Sequence, residues 1–313
     1  MANVAISRKI PATGAAPKLG VLSEWADRRF KWLLVAPAVI LILALSIYPL
    51  IFSLVVSFIN YDFQIPGHAY VGWKNFRQVI FDPVARWSIV LTAFFAAANV
   101  IIEFLLGLAL ALVMVRHFRG RGVVMSILIV PLFISPVIVG QAWALLLQRP
   151  FGPTNYILSQ LLGTDVKISW LTESPWLYFA IIVADVWQWT PFLFIIFVAA
   201  LQGMDKEVEE AARLDGASWR KIFFNISLPM MRPVIAIALV LRGIDIITMF
   251  APVHIITQGT PGGNTETLSY FIYRTAFKSF EQGYASAASV LLLIATVILA
   301  QTLVRRFFKS GVE

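Results

Sequence analysis

At 59% hydrophobic and 13% charged residues, with a mean hydropathy of +0.80, this 313-residue chain is not an ordinary soluble domain, in which about a quarter of residues are charged. The absence of cysteine excludes disulfides, thiolate metal sites and a cysteine nucleophile. A net charge of +8 admits nucleic acid or anionic lipid as partners, and the placement of the charges decides between them.

Residues 1–30 are polar and contain Pro11, Gly14, Pro17 and Gly20, so they read as a flexible tail. Within them Ser23 to Phe30 can begin a short helix at the membrane surface. No basic start followed by a short apolar core and a small-residue cleavage site is present, so no removable signal peptide is expected. About twenty apolar residues cross a bilayer, and six stretches are long enough: 32–59, 88–115, 123–147, 176–201, 232–256 and 284–304. Pro37 and Pro49 predict a kink or a broken start in the first. Pro131 and Pro136 lie in the third and Pro191 in the fourth. The backbone groups that these prolines free must find partners inside a bundle. The fold class is therefore all-α integral membrane with six transmembrane helices.

Lys and Arg set the orientation. With the N-terminus inside, seventeen fall on inner segments and seven on outer ones, and Arg242, inside a span, completes the 25. Both termini are thus expected in the cytoplasm, and topology rather than nucleic-acid binding accounts for the positive charge. The outer segments 60–87, 148–175 and 257–283 read as connections. The second opens with a turn at Arg149 to Pro153 and continues as a short helix, and the third opens with a flexible stretch, 258–263. His68, His117 and His254 are isolated and lack metal-ligand spacing.

Four ionisable residues lie inside spans: Glu103, Asp185, Arg242 and Asp245. Each costs about 2.5–3.5 kcal/mol at a helix centre on insertion scales. Arg242 follows Arg232 by ten residues, about 15 Å of helical rise, and shares a face with Asp245 at i, i+3. Asn99 lies one turn from Glu103 on the same face. Trp187, Gln188 and Trp189 follow Asp185, and such aromatic faces and amides suit sugar C–H faces and hydroxyls. Two readings fit these residues: a structural network stapling helices together, or the polar lining of a hydrophilic pathway between spans two, four and five.

Between spans four and five stands a polar insert, EEAARLDGASWRKIFFNISLPMMRP, from Glu209 to Pro233. Met204, Val208, Ala211, Ala212 and Leu214 keep a helical period. Asp205 is placed to cap that helix, Glu209 and Arg213 to pair across one turn, and Gly216 to end it in a left-handed turn. Ser218 can cap a second short helix, with Trp219, Ile222, Phe223 and Ile226 on one face, which Leu228-Pro229 breaks before span five. The insert reads as an elbow displayed into the cytosol, or as an interfacial helix on lipid headgroups, although its acidic first helix is a poor ligand for anionic lipid.

Glu210-Ala211-Ala212, three residues, Gly216, nine residues, then Ile226-Ser227-Leu228-Pro229 resembles the EAA loop of ABC importer permeases at every position. Val71-Gly72-Trp73-Lys74-Asn75-Phe76, Gly259 to Phe277 and Gly283 to Ala287 are similar to the binding-protein-dependent sugar importer subgroup. Thr260 departs from its glycine run. About residues 30–308 are covered.

The resemblance implies the type I ABC importer permease fold in a bacterial or archaeal cytoplasmic membrane: tail 1–30, six-span domain 31–308 with coupling helices at 203–230, and tail 309–313. It implies that Glu210, Ala211, Ala212, Leu214, Asp215, Gly216 and Ala217 dock on an ATPase subunit dimer. ATP and Mg would bind there and not on this chain, which has no G-x-x-x-x-G-K-[ST] loop. It further implies a second, homologous permease subunit and an extracytoplasmic substrate-binding protein, with membrane lipid around the spans. A proton-coupled secondary transporter using the intramembrane acids is the alternative, and it needs no such elbow.

Overall fold

The computed structural model describes residues 19–149, 151–259 and 263–308, and among these no strand forms. The chain divides into two compact units, 1–52 and 53–313. Over its described residues the first unit is a single helix, α1 (Leu19–Val56), whose last residues enter the second. Of the expected tail, 1–18 lies outside the described residues, and Ser23 to Phe30 is part of α1 rather than a separate surface helix. The expected broken start is not seen either, because α1 runs without interruption through Pro37 and Pro49. Each proline removes one hydrogen bond from a ladder of more than thirty residues, which the rest of the helix bridges.

The second unit is a helical bundle. Its helices are α2 (Lys74–Phe81), α3 (Pro83–Met114), α4 (Arg121–Ile129), α5 (Pro136–Leu147), α6 (Pro153–Leu162) and α7 (Trp176–Gln202). After these come α8 (Lys206–Leu214), α9 (Trp219–Ile222), α10 (Leu228–Ile247), α11 (Leu268–Tyr273) and α12 (Gln282–Phe308). Residues 34–56, α3, α7, the run Trp219–Ile247 and Gln282–Arg306 are each long and apolar enough to span. The third expected span is instead two helical segments, Arg121–Phe133 and Pro136–Leu147, bent by 100° at their junction.

The cause of that bend is local. A 3-10 turn, Val130–Phe133, carries Pro131, and the residue before Pro136 is pushed into extended backbone, Ser135 ψ 135°. The carbonyl of Ile134 that this releases is taken by a neighbour: Gln188 Nε2 on α7 donates to it at 2.8 Å. A proline break inside a bundle has thus found the partner that lipid could not give it.

Span five also departs from expectation at both ends. Leu228-Pro229 does not break the chain; the helix runs on through Pro229, the second residue of α10. A π-helical stretch, Phe223–Ser227, joins α9 to α10, so the helix is continuous from Trp219 to Ile247. It then stops at Thr248, well short of 256, and the chain folds back through a second π stretch, Val253–Thr257, against α5 and α7. The expected connections also hold α2 and α11, helices too short for their periodicity to stand out.

Backbone contact at small residues draws the bundle together. A Cβ on Gly107 of α3 would sit 3.1 Å from both Leu193 Cβ and Phe194 N of α7, so glycine there permits the close α3–α7 seam. Beside it Leu193, Phe194, Phe197, Met231 and Ala238 form a buried cluster. At the other end two segments distant in sequence meet. Asn75 Nδ2 donates to the carbonyls of Ser57 at 2.9 Å and Ile59 at 3.0 Å. Gly283 N donates to Tyr61 O at 2.9 Å, and Tyr284 Oη donates to Asp82 Oδ2 at 2.6 Å. A Cβ on Gly283 would fall 2.1 Å from Ile59 O, so no other residue fits.

Candidate functional site

Three helices converge on one guanidinium. Arg242 on α10 is 1% exposed, and its Nε and Nη2 reach Glu103 Oε2 at 2.7 Å and Oε1 at 2.8 Å, a two-pronged pairing with α3. Its Nη2 also bonds Asp185 on α7, and its Nη1 bonds Asp245 one turn along α10. Asn99 on α3 donates to Asp185 Oδ2 at 2.8 Å. The face of Trp189 lies 4.8 Å from the guanidinium carbon, a cation–π contact. Glu103, Asn99 and Asp185 are buried with Arg242, whereas the Asp245 side chain is 47% exposed.

The exposed side of the cluster opens into a cavity of about 230 Å³. Asp185, Gln188, Trp189, Arg242, Asp245 and Thr248 line it, with Pro136 and the turn from Met249 to Pro252 closing one side. Gln188, 2% exposed, spends its amide N–H on Ile134 and leaves Oε1 without a donor from the protein. Every hydrogen-bonding capacity of the guanidinium that the geometry shows is directed at carboxylates, and the half-exposed Asp245 carboxylate faces the space, while the Gln188 carbonyl is buried. The lining therefore offers carboxylates, the Thr248 hydroxyl and two aromatic side chains, Trp189 and Phe250.

Seven of the eight expected pathway residues, Asn99, Glu103, Asp185, Gln188, Trp189, Arg242 and Asp245, come together here. Trp187 does not. It points to another face of α7, where it packs edge-on to Trp143 at 6.3 Å and borders a separate, apolar cavity of about 630 Å³. Two residues along a helix turn a side chain by about 200°, so Trp187 and Trp189 part company. Thr248, Pro136 and Phe250 were missed. Thr248 carried a signal, since it stands three residues after Asp245, but nothing in the sequence singled out Phe250, which depends on the fold-back after α10.

The elbow is built much as its sequence directs. Asp205 accepts from Glu207 N at 3.0 Å and caps α8, and Arg213 pairs with Glu209 at 2.6 Å. Gly216 turns the chain at φ +75°, a left-handed conformation that a side chain would strain. Ser218 accepts from Lys221 N to start α9. Glu210, Ala211, Leu214, Asp215 and Gly216 are exposed, with Ala212 and Ala217 half-buried. Leu214 is 90% exposed, so this helix presents an apolar side chain away from its own protein. On the inner side Ile222 and Phe223 are buried, and the Trp219 ring stacks on Phe223 at 5.7 Å.

The three histidines do not gather: His68 stacks on Tyr61 and His254 on Phe250. Among the described residues no three His, Asp or Glu side chains are placed to hold a metal ion.

Comparison with known proteins places this architecture. Residues 103–310 match the family described as the binding-protein-dependent transport system inner membrane component. The chain is 31% identical to the trehalose/maltose transport system permease protein MalF of Thermococcus litoralis over 92% of its own length and 95% of that protein's. It is 32% identical to the trehalose transport system permease protein SugA of Mycobacterium tuberculosis, covering 91% of each. Among solved structures, a bacterial alginate ABC transporter in complex with alginate pentasaccharide-bound periplasmic protein superposes with a TM-score of 0.79 at 24% identity, over 93% of this chain and 99% of that one. The fold is thus that of a type I ABC importer permease.

Proposed function

The chain belongs to the family of binding-protein-dependent transport system inner membrane components, and from that premise we propose that it is the membrane-spanning permease subunit of an ATP-driven importer for a sugar or sugar derivative. A second, homologous permease subunit completes the pore. An ATPase dimer on the cytoplasmic side binds ATP and Mg, and a binding protein delivers the solute from the other side. Both termini of this chain are cytoplasmic. The relatives' names, trehalose and maltose, support the solute class, as does a cavity that combines acceptors for hydroxyl groups with an indole ring.

The observation that carries the proposal is the continuity of one helix. The elbow formed by α8 and the Gly216 turn leads at Trp219 into a helix without a break as far as Ile247, and that helix carries Arg242. Arg242 lies 23 residues beyond Trp219, about 35 Å of helical rise. A push on Glu210, Ala211, Ala212 or Leu214 is delivered along this rod to the guanidinium, which is bonded to α3 and α7. Displacing α10 must stretch or exchange those ion pairs, and the cavity beside them changes shape with them. In this way closure of the ATPase dimer would switch the access of the cavity from one side to the other.

Cysteine placed at Ala211 tests the reading, since the chain has no native cysteine. In the assembled complex it should cross-link to the nucleotide-binding subunit, and reconstituted vesicles should take up solute only with ATP and the binding protein. A label at Ala211 that contacts only lipid, or uptake driven by a pH gradient alone, would overturn it.

A further inference from the structure

We propose that α6 is an interfacial helix that lays its outward face into the acyl-chain boundary of the bilayer, anchoring the α5–α7 connection to lipid. The helix, PTNYILSQLL, carries no charge. Its short polar side chains are turned towards the protein and used there. Asn155 is buried, donates to Ile168 O at 2.9 Å and accepts from Trp170 Nε1 at 2.7 Å. Ser159 Oγ accepts from Val166 N at 2.8 Å and donates to Asn155 O at 2.8 Å. Facing away are Tyr156, 68% exposed, Ile157, 52%, and Leu161, 76%, spaced i, i+1, i+5 on one side of the helix. The exposed Gln160 is the one amide among them and no charged group stands on this face, whereas a helix that faces water carries its charged groups outward.

The depth of the helix identifies what covers it. Thr154 Oγ1 donates to Leu146 O at 2.6 Å, which fixes the first turn of α6 to the last turn of the spanning segment α5. The return arm brings Trp170 to 5.0 Å from Trp176, the first residue of the spanning helix α7. The helix therefore hangs between two span ends, at the level where the hydrocarbon gives way to headgroups. Leu145 and Leu146, at the end of α5 to which this first turn is tied, are exposed as well, and α5 belongs to a bent pair apolar enough to enter the membrane. Tyr and Trp are enriched at this level because one end of each ring is apolar and the other polar, and Tyr156, Trp170 and Trp176 are all here. The ion pair of Lys167 with Asp165 at 2.6 Å follows the helix in the chain, with both side chains exposed.

The cysteine-free chain permits a direct test with nitroxide labels at Ile157→Cys, Leu161→Cys and Lys167→Cys, in the full-length protein reconstituted in phosphatidylcholine–phosphatidylglycerol vesicles. Collision with oxygen, which concentrates in lipid, is compared with collision with a water-soluble nickel chelate. Labels at 157 and 161 should favour oxygen several-fold relative to the label at 167. Equal nickel access at all three sites would mean that water covers the face, and loss of access to both reagents at 157 and 161 would mean that protein does. Either result overturns the proposal. The outcome does not depend on the transport activity proposed above.

Discussion

Replacing Arg242 by Gln isolates what the buried cluster contributes. Glu103 has both carboxylate oxygens on this guanidinium and no other hydrogen bond among those the structure shows, so the substitution strands it at 0% exposure. Asp185 keeps its bond from Asn99, and Asp245, half-exposed, is compensated by water. Removing one partner of a buried ion pair costs about 3–5 kcal/mol. A helix released within detergent or lipid finds substitute partners, which favours the low end, about 3 kcal/mol. Losing the half-exposed partner through Asp245→Asn should cost no more than about 1 kcal/mol. The double variant Glu103→Gln/Arg242→Gln leaves two neutral amides in place of a stranded charge, and it should regain at least about half of the Arg242→Gln loss. Titration with a denaturing detergent in mixed micelles, followed by tryptophan fluorescence, measures all three. Equal losses for Arg242→Gln and Asp245→Asn, or a double variant weaker than Arg242→Gln alone, would refute the account of the cluster as a desolvated pair with one wet edge.

Two further outcomes follow from particular contacts. Gly283→Ala places a Cβ 2.1 Å from Ile59 O and should destabilise by about 1–3 kcal/mol, whereas Gly122→Ala, with open space around it, should be neutral in the same titration. Trp189→Ala removes the ring beside Arg242 and should lower solute uptake by reconstituted transporter by up to about thirtyfold, the equivalent of the roughly 2 kcal/mol of one desolvated cation–π contact; Trp187→Ala, which faces the other cavity, should leave uptake within about twofold.

The legible parts of this protein are those in which the signal is local. The elbow was legible nearly atom for atom because caps, an i, i+4 pair and a left-handed glycine each act over four residues or fewer: Asp205, Arg213 with Glu209, and Gly216 all do what their spacing dictates. The charged residues were legible as a set, since an ion in a span has to find another. Their pairing was not, because it depends on how α3, α7 and α10 rotate about their own axes. The helical period alone parts Trp187 from Trp189, but which of the two meets Arg242 depends on that rotation, and no short-range pattern encodes it. The two misread helix ends share a cause. Proline was expected to break the chain before α10, where the helix runs on through it, and the prolines of the third span were read only as freeing backbone groups, whereas Ser135-Pro136 bends the chain by 100°.

Gln188 shows why the break in the third span and the cavity belong to one design. The bend leaves Ile134 O without a helical donor, and only a side chain from α7 can supply one at that depth. The residue that does so also borders the cavity, with its own carbonyl buried. Had the third span run straight, Ile134 O would have bonded within its own helix and Pro136 could not have closed the side of the cavity. The bend is therefore what gives the polar cluster a wet edge, because it keeps one flank of α10 clear of a packed helix while Glu103 and Asp185 hold the other. A sealed cluster would only staple the bundle, whereas the half-exposed Asp245 leaves one of these ion pairs open to exchange under the proposed movement of α10.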